Sequence, residues 1–144
     1  MKVLPARGAW GRFRCYVRLM ATDALNLTGI WLSEYEYEST GRGALKSTHR
    51  VAVVHDGDRL HVRSLPSSES DLSMDLAADG RVITGTWAER TREDGHYRGA
   101  RYHGTVQMIL NEAGDRMTGK WAGFSRDMET VNTGAWSLTL QLGP

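Results

Sequence analysis

A four-residue phrase, Thr-Gly-x-Trp, occurs four times in this chain. Its copies end at Trp31, Trp87, Trp121 and Trp136. Residues two apart in an extended strand point to the same face, so each glycine shares a side with its tryptophan. Glycine within a strand often marks a bend or a close approach of a bulky group, and the indole two residues on is a candidate for that bulk. The phrase therefore predicts that these four tryptophans point into one β-sheet interior, which is either a well-packed core or an aromatic-lined cavity.

The composition predicts one globular domain and no charged polymer as partner. The 144 residues carry a formal net charge of +1, which gives no reason to expect nucleic acid or an anionic membrane. Cys15 is the single cysteine, so an intramolecular disulfide is excluded and a reducing, cytoplasmic setting is expected. No apolar run approaches the roughly 20 residues of a membrane span. Because metal-ligand spacings and phosphate-binding glycine loops are lacking, we expect no metal and no cofactor.

After about residue 26, turn signals recur at the short spacing of an all-β domain. Eight strands are predicted, near residues 28–38, 45–55, 59–65, 71–77, 82–91, 98–111, 116–125 and 133–142. Strands joined only by short turns form a meander, and eight of them can close on themselves and remove the exposed edges. The predicted fold is an eight-stranded antiparallel up-and-down β-barrel over residues 26–144, with a sandwich as the alternative.

The first 25 residues follow a different pattern. Apolar side chains recur there with steps of three and four, at Trp10, Phe13, Val17, Met20 and Ala24. This period predicts a short amphipathic helix, which would serve as a lid over a barrel mouth or as a contact in a homodimer. The alternative is that translation starts at Met20 and that residues 1–19 are a leader.

Alternation assigns the inward faces. In the first strand Trp31, Tyr35 and Tyr37 share a side opposite three glutamates, which belong in water. In the second strand we expect His49 and Val51 to face inward.

The sixth strand is predicted to turn Tyr102 and Met108 inward and His103 outward, unless a bulge near residues 97–99 reverses the phase. In the fourth strand Met74 is predicted to face inward.

Glu89 has two interpretations. It shares a face with Trp87, and an inward carboxylate must be paired, hydrogen-bonded or protonated. It could orient a ligand or act as a base, with Arg101 or a tyrosine as its partner. It could also be a strand-end glutamate that has reached solvent at the barrel rim, and the pattern favours this second interpretation.

We predict that the interior binds a small, largely apolar or aromatic organic molecule, because apolar walls with a few polar tips are typical of such pockets. The predicted lining residues are Trp31, Tyr35, Tyr37, Val51, Met74, Trp87, Glu89, Tyr102, Met108, Trp121 and Trp136. Should the protein be an enzyme, the catalytic candidates are Glu89, Tyr35 and Tyr37.

Two family resemblances support this prediction. Gly29-Ile30-Trp31 resembles the Gly-x-Trp of lipocalin and avidin-type (calycin) barrels, where the tryptophan closes one end. Residues 85–91, 97–105, 119–124 and 131–136 are similar to the domain that follows a helix-turn-helix in many actinobacterial regulators of the Xre type. The second resemblance implies a ligand-sensing role. The segment before the barrel has no room for the helix-turn-helix, so DNA binding is not expected.

Two other functions stay open at this point. The chain is similar in size and architecture to cofactor-free cyclases of natural-product pathways, including Diels–Alder-type enzymes, although no motif is shared. Such a cyclase or isomerase needs shape and one or two polar anchors rather than a cofactor. The remaining alternative is a structural or oligomer-forming module.

Overall fold

A computed structural model describes residues 25–39, 42–66 and 68–144 and shows a closed barrel of eight antiparallel strands. The strands are β1 (Gly29–Ser39), β2 (Gly43–Asp56), β3 (Arg59–Ser64), β4 (Ser70–Asp79), β5 (Val82–Thr91), β6 (Arg101–Leu110), β7 (Arg116–Phe124) and β8 (Val131–Leu142). Each strand pairs with the next, and β8 pairs with β1 to close the ring. The predicted barrel is confirmed, and the sandwich is not the fold.

The connections divide the barrel into two ends. The lower end carries the connections at residues 57–58, 80–81 and 111–115, together with residues 25–28 ahead of β1. Gly57 and Gly80 adopt positive φ of 62° and 60° there, as the predicted Asp-Gly turns require. The upper end carries the connections from β1 to β2, from β3 to β4, from β5 to β6 and from β7 to β8.

Trp31 and the segment ahead of β1 close the lower end. Trp31 is 0% exposed, and its indole N–H donates to the carbonyl oxygen of Leu27 at 2.9 Å. Leu27 is itself buried in the core, and Leu25 packs against it. The chain therefore folds across this end before it enters β1.

The predicted inward faces are confirmed. Within each strand the buried apolar side chains of the core lie at alternate positions, as the geometry of a strand requires, and the buried Ser33, His49 and Glu89 lie in the same inward phase. Tyr102 and Met108 lie on the inner face of β6, and His103 is exposed. However, β6 begins at Arg101 rather than near residue 98, because Arg98 and Gly99 both adopt positive φ within the preceding loop.

All four motif tryptophans point inward, and three of them form one cluster. The Trp87 ring lies 5.7 Å from both the Trp121 and the Trp136 ring, edge to face in each case. Trp87 and Trp136 are buried, and Trp121 is half-buried. Trp31 lies apart at the lower end.

The motif glycines work differently from the prediction. A Cβ atom on Gly134 would lie 2.5 Å from Nε1 of Trp121, which is its cross-strand partner. Cβ atoms on the other three motif glycines would lie against backbone carbonyl oxygens of neighbouring strands: Leu142 for Gly29, Asp75 for Gly85 and Gln107 for Gly119. Gly123 is not part of the phrase, and a Cβ atom on it would lie 2.7 Å from the Trp87 ring. The group that requires each motif glycine is therefore a neighbouring strand, through its backbone and, at Gly134, also through the Trp121 indole, and not the tryptophan two residues further along. The prediction was wrong in this detail because it considered one strand at a time.

The predicted N-terminal helix, with Trp10 to Ala24, lies outside the described residues. Within the described part of the chain, no helix has the length and apolar character needed to cross a membrane.

Candidate functional site

Four polar side chains from four different strands meet inside the barrel. They are Tyr35 of β1, His49 of β2, Ser70 of β4 and Glu89 of β5. Tyr35, His49 and Glu89 occupy the inward phase of their strands, and Ser70 is the first residue of β4, where the chain enters from the upper end. We call these four side chains the Glu89 network.

Glu89 lies at the centre of this network. Glu89 is 9% exposed. The Tyr35 hydroxyl donates to the carboxylate and lies 2.6 Å from both of its oxygens, and the Ser70 hydroxyl donates to Oε2. The interpretation of Glu89 as a solvated rim glutamate is therefore wrong. A tyrosine is its partner, as one interpretation proposed, whereas Arg101 is exposed.

His49 extends the network from Ser70. Its side chain is fully buried, with Nε2 2.5 Å from the Ser70 hydroxyl and 3.5 Å from Oε2 of Glu89. Burial lowers the pKa of His49, against the opposing effect of Glu89 and Glu69, so the ring is neutral at neutral pH. The imidazole also stacks on the Tyr35 ring at 5.9 Å.

The hydrogen-bond directions follow from the donors present. Because the Ser70 hydroxyl donates to Glu89, its oxygen accepts from His49, which assigns the proton to Nε2. Nδ1 of His49 then has a lone pair, and this buried atom has no hydrogen-bond partner among the described residues. The network therefore runs from His49 through Ser70 to Glu89, and Tyr35 donates from the other side.

Tyr35 is held as a proton donor. Burial, the Glu89 charge and the hydrogen bond to Glu89 all raise the pKa of the Tyr35 phenol well above its ordinary value, and a bond with Ser47 opposes them. The protonated phenol is thus the form that the site stabilises. It follows that Tyr35 stabilises negative charge on Glu89 and is unsuited to act as a base.

Aromatic rings continue from this network to the upper end. The Tyr35 ring lies 5.0 Å from Trp136 and 5.8 Å from Tyr37. Tyr37 contacts Tyr97 at 6.4 Å, and Tyr97 contacts Tyr102 at 6.0 Å. Burial raises the pKa of both Tyr37 and Tyr102, and the charge of Glu89 adds to each shift. These rings form what we call the tyrosine wall, defined as Tyr37, Tyr97 and Tyr102, all half-buried.

The structure separates the predicted lining residues into two groups. Near the Glu89 network and the tryptophan cluster it places Tyr35, Tyr37, Trp87, Glu89, Tyr102, Trp121 and Trp136. In the packed core it places Trp31, Val51, Met74 and Met108, with Met74 opposite Trp87. Of the residues now seen in the first region, His49, Ser70 and Tyr97 were not predicted as site residues. His49 was predicted to face inward, which was the one available signal.

A cavity of about 300 Å³ lies at the upper rim beside the network. Its lining includes Ser70 itself, with Glu69 and Arg90 among its neighbours. None of the eleven predicted lining residues borders it. A second hollow, of about 680 Å³, lies along β5 to β8 and is bordered by outward-facing side chains such as Thr84, Thr105 and Lys120.

No group of three His, Cys, Asp or Glu side chains with the arrangement of a metal site occurs within residues 25–39, 42–66 and 68–144. No protein-family model and no curated protein matches the sequence. Fold and site therefore define the class: a closed eight-stranded antiparallel β-barrel with an aromatic cluster beside a buried, hydrogen-bonded carboxylate.

Proposed function

We propose that the upper end of this barrel binds a small organic molecule with an aromatic or apolar body. The observation that carries the proposal is the Glu89 network, which places a carboxylate, an imidazole and two hydroxyls inside a largely apolar barrel. Apolar side chains would fill this space at lower cost, since buried polar groups need a full set of partners. Apolar walls with a few convergent polar groups are typical of small-molecule sites.

The upper end is the side from which a ligand would enter. The tyrosine wall is half-buried there, so its ring faces are partly available to a ligand. The rim cavity reaches Ser70, whose hydroxyl donates a hydrogen bond to Glu89. The lower end is closed by Trp31 and Leu27. A ligand that enters between the upper loops would meet aromatic rings first and the carboxylate next.

A cofactor-independent enzyme is the second candidate. The observation that favours it is the unbroken series of hydrogen bonds from His49 through Ser70 to Glu89. In such a series, a proton taken up at Nδ1 of the neutral His49 ring would release the Nε2 proton to the Ser70 oxygen, and the Ser70 hydroxyl proton would pass to the Glu89 carboxylate, so that the imidazole stays neutral. Binding alone would not need the histidine to be connected to the carboxylate.

The test uses the indole N–H signals of the protein in two-dimensional NMR, assigned with single Trp→Phe variants. Neutral aromatic probes (phenol, indole and 2-phenylethanol) are titrated one at a time. Binding at the upper end should shift the signals of Trp87, Trp121 and Trp136, which surround the site, and leave Trp31 unchanged.

Trp31 therefore serves as an internal control. Shifts confined to Trp31, or no saturable shift with any neutral probe, would contradict the proposal. For the enzyme alternative, Ser70→Ala should reduce turnover more than ligand affinity, because it interrupts the path between His49 and Glu89.

A further inference from the structure

We propose that the ligand of this site is an organic cation, an amine or quaternary ammonium compound with an aromatic or apolar body. The cationic group would lie against Glu89 and the faces of the tyrosine wall. This inference rests on the proposed function and adds the charge of the ligand. It extends the sequence-based prediction, which gave the ligand an apolar or aromatic body and no charge.

The first argument is the unbalanced charge of Glu89. In the described chain, its ion-pair partner within 4.0 Å is His49, at 3.5 Å. That imidazole is neutral, as shown above, and the other contacts are the hydroxyls of Tyr35 and Ser70. Hydroxyls donate hydrogen bonds but carry no positive charge. A buried carboxylate is stabilised most by a cation, and none of the described groups that contact Glu89 carries a positive charge. A positively charged ligand would therefore balance the charge of Glu89.

The second argument is the chemistry of the surrounding rings. The face of an aromatic ring is the negative part of its quadrupole and attracts cations within about 6 Å of the centroid. The tyrosine wall supplies three rings, with the Tyr97 centroid 6.4 Å from that of Tyr37 and 6.0 Å from that of Tyr102. The chain itself already places a cation there, since the Arg42 guanidinium lies 5.5 Å from the Tyr97 centroid. A carboxylate behind aromatic rings is an arrangement suited to an ammonium group.

The third argument concerns the rim. Two ion pairs lie at the end of β5 and in the loop that follows it: Arg90 lies 3.5 Å from Glu93, and Arg92 lies 3.1 Å from Asp94. Such exposed pairs cancel locally and are screened by salt. The Glu89 carboxylate is buried and is screened less by salt than these exposed pairs, so it favours cations and repels anions.

The experiment compares three probes that share one aromatic body: phenethylammonium, 2-phenylethanol and phenylacetate. Dissociation constants are measured on the full chain near neutral pH. We expect phenethylammonium to bind at least about ten-fold more tightly than the alcohol, and phenylacetate to bind most weakly. Glu89→Gln should reduce the affinity for the cation to that for the alcohol. Glu36→Gln, which removes the same charge from an exposed position of β1, should leave the preference intact.

The wild-type comparison stands even if Glu89→Gln does not fold. Equal affinity for the cation and the alcohol would overturn the cation inference and leave the proposed function in place. A cation preference that persists in folded Glu89→Gln would also overturn it, because a group other than Glu89 would then be binding the cation. If none of these probes and none of the neutral probes binds, both proposals are wrong.

Discussion

Removing one hydroxyl tests whether the Glu89 network is as tightly bonded as the structure shows. Tyr35→Phe keeps the ring that packs on Trp136 at 5.0 Å and removes the donor that lies 2.6 Å from both oxygens of Glu89. A hydrogen bond to a charged group contributes about 1.5–3 kcal/mol, and its loss leaves a buried carboxylate less well satisfied. Because no packing volume is lost, the expected decrease in the free energy of unfolding is about 1.5–3 kcal/mol.

The matched control is Tyr37→Phe. Tyr37 lies two residues further along the same face of β1 and is half-buried, and its hydroxyl is not part of the Glu89 network. Its removal should change the free energy of unfolding by less than about 0.5 kcal/mol. Urea denaturation followed by tryptophan fluorescence, with equal m-values, measures both. Equal losses for the two variants would refute the argument that Tyr35 stabilises the buried charge.

Two further predictions concern stability. Because burial lowers the pKa of His49, the unfolded state binds its proton first as pH falls, and folding loses stability below the unfolded value of about 6.5. Between about pH 7.5 and 5.5 wild type should lose up to about 1.4 kcal/mol more than His49→Gln, measured by urea denaturation at each pH, and parallel curves would contradict this. Gly123→Ala places a methyl group 2.7 Å from the Trp87 ring and should cost about 1–3 kcal/mol, whereas Gly143→Ala, with nothing within 4 Å, should be neutral. Thermal denaturation compares the two, and equal midpoints would show that the indole moves aside freely.

The fold could be predicted from the sequence because the patterns that specify it are local. Alternation in β1 sets three glutamates against Trp31, Tyr35 and Tyr37, and a slip of one residue would reverse every side chain. Asp-Gly pairs specify the turns at Gly57 and Gly80 through their positive φ. Each of these signals spans a few neighbouring residues, so no knowledge of strand pairing was needed.

The site could be predicted from the sequence only in part, because it depends on contacts between residues that are distant in the sequence. Glu89 lies two residues after Trp87 on β5, so the inward orientation of Trp87 was enough to predict that Glu89 also faces inward. Its partner Ser70 follows a stretch of serines that has the composition of a loop, and 19 residues separate the two. Tyr97 lies in the loop before β6, where alternation has no meaning. The expectation that Glu89 is solvated failed for this reason: one strand does not show which donors the others bring.

The tryptophans beside the site also explain how it could bind a small ligand without a large ordering cost. The indole N–H of Trp87 donates to the Thr105 carbonyl at 3.0 Å, and that of Trp121 to the Glu36 carbonyl at 2.9 Å. Trp136 donates to the Ser33 hydroxyl at 2.7 Å. These bonds fix the ring orientations in the free protein. Gly123 faces the Trp87 ring and Gly134 faces the Trp121 ring, so both indoles can lie close to the backbone. A ligand would then meet rings that are already ordered, so more of its contact energy would appear as affinity. The repeated Thr-Gly-x-Trp phrase thus contributes to the barrel wall and to the rigidity of the proposed site together.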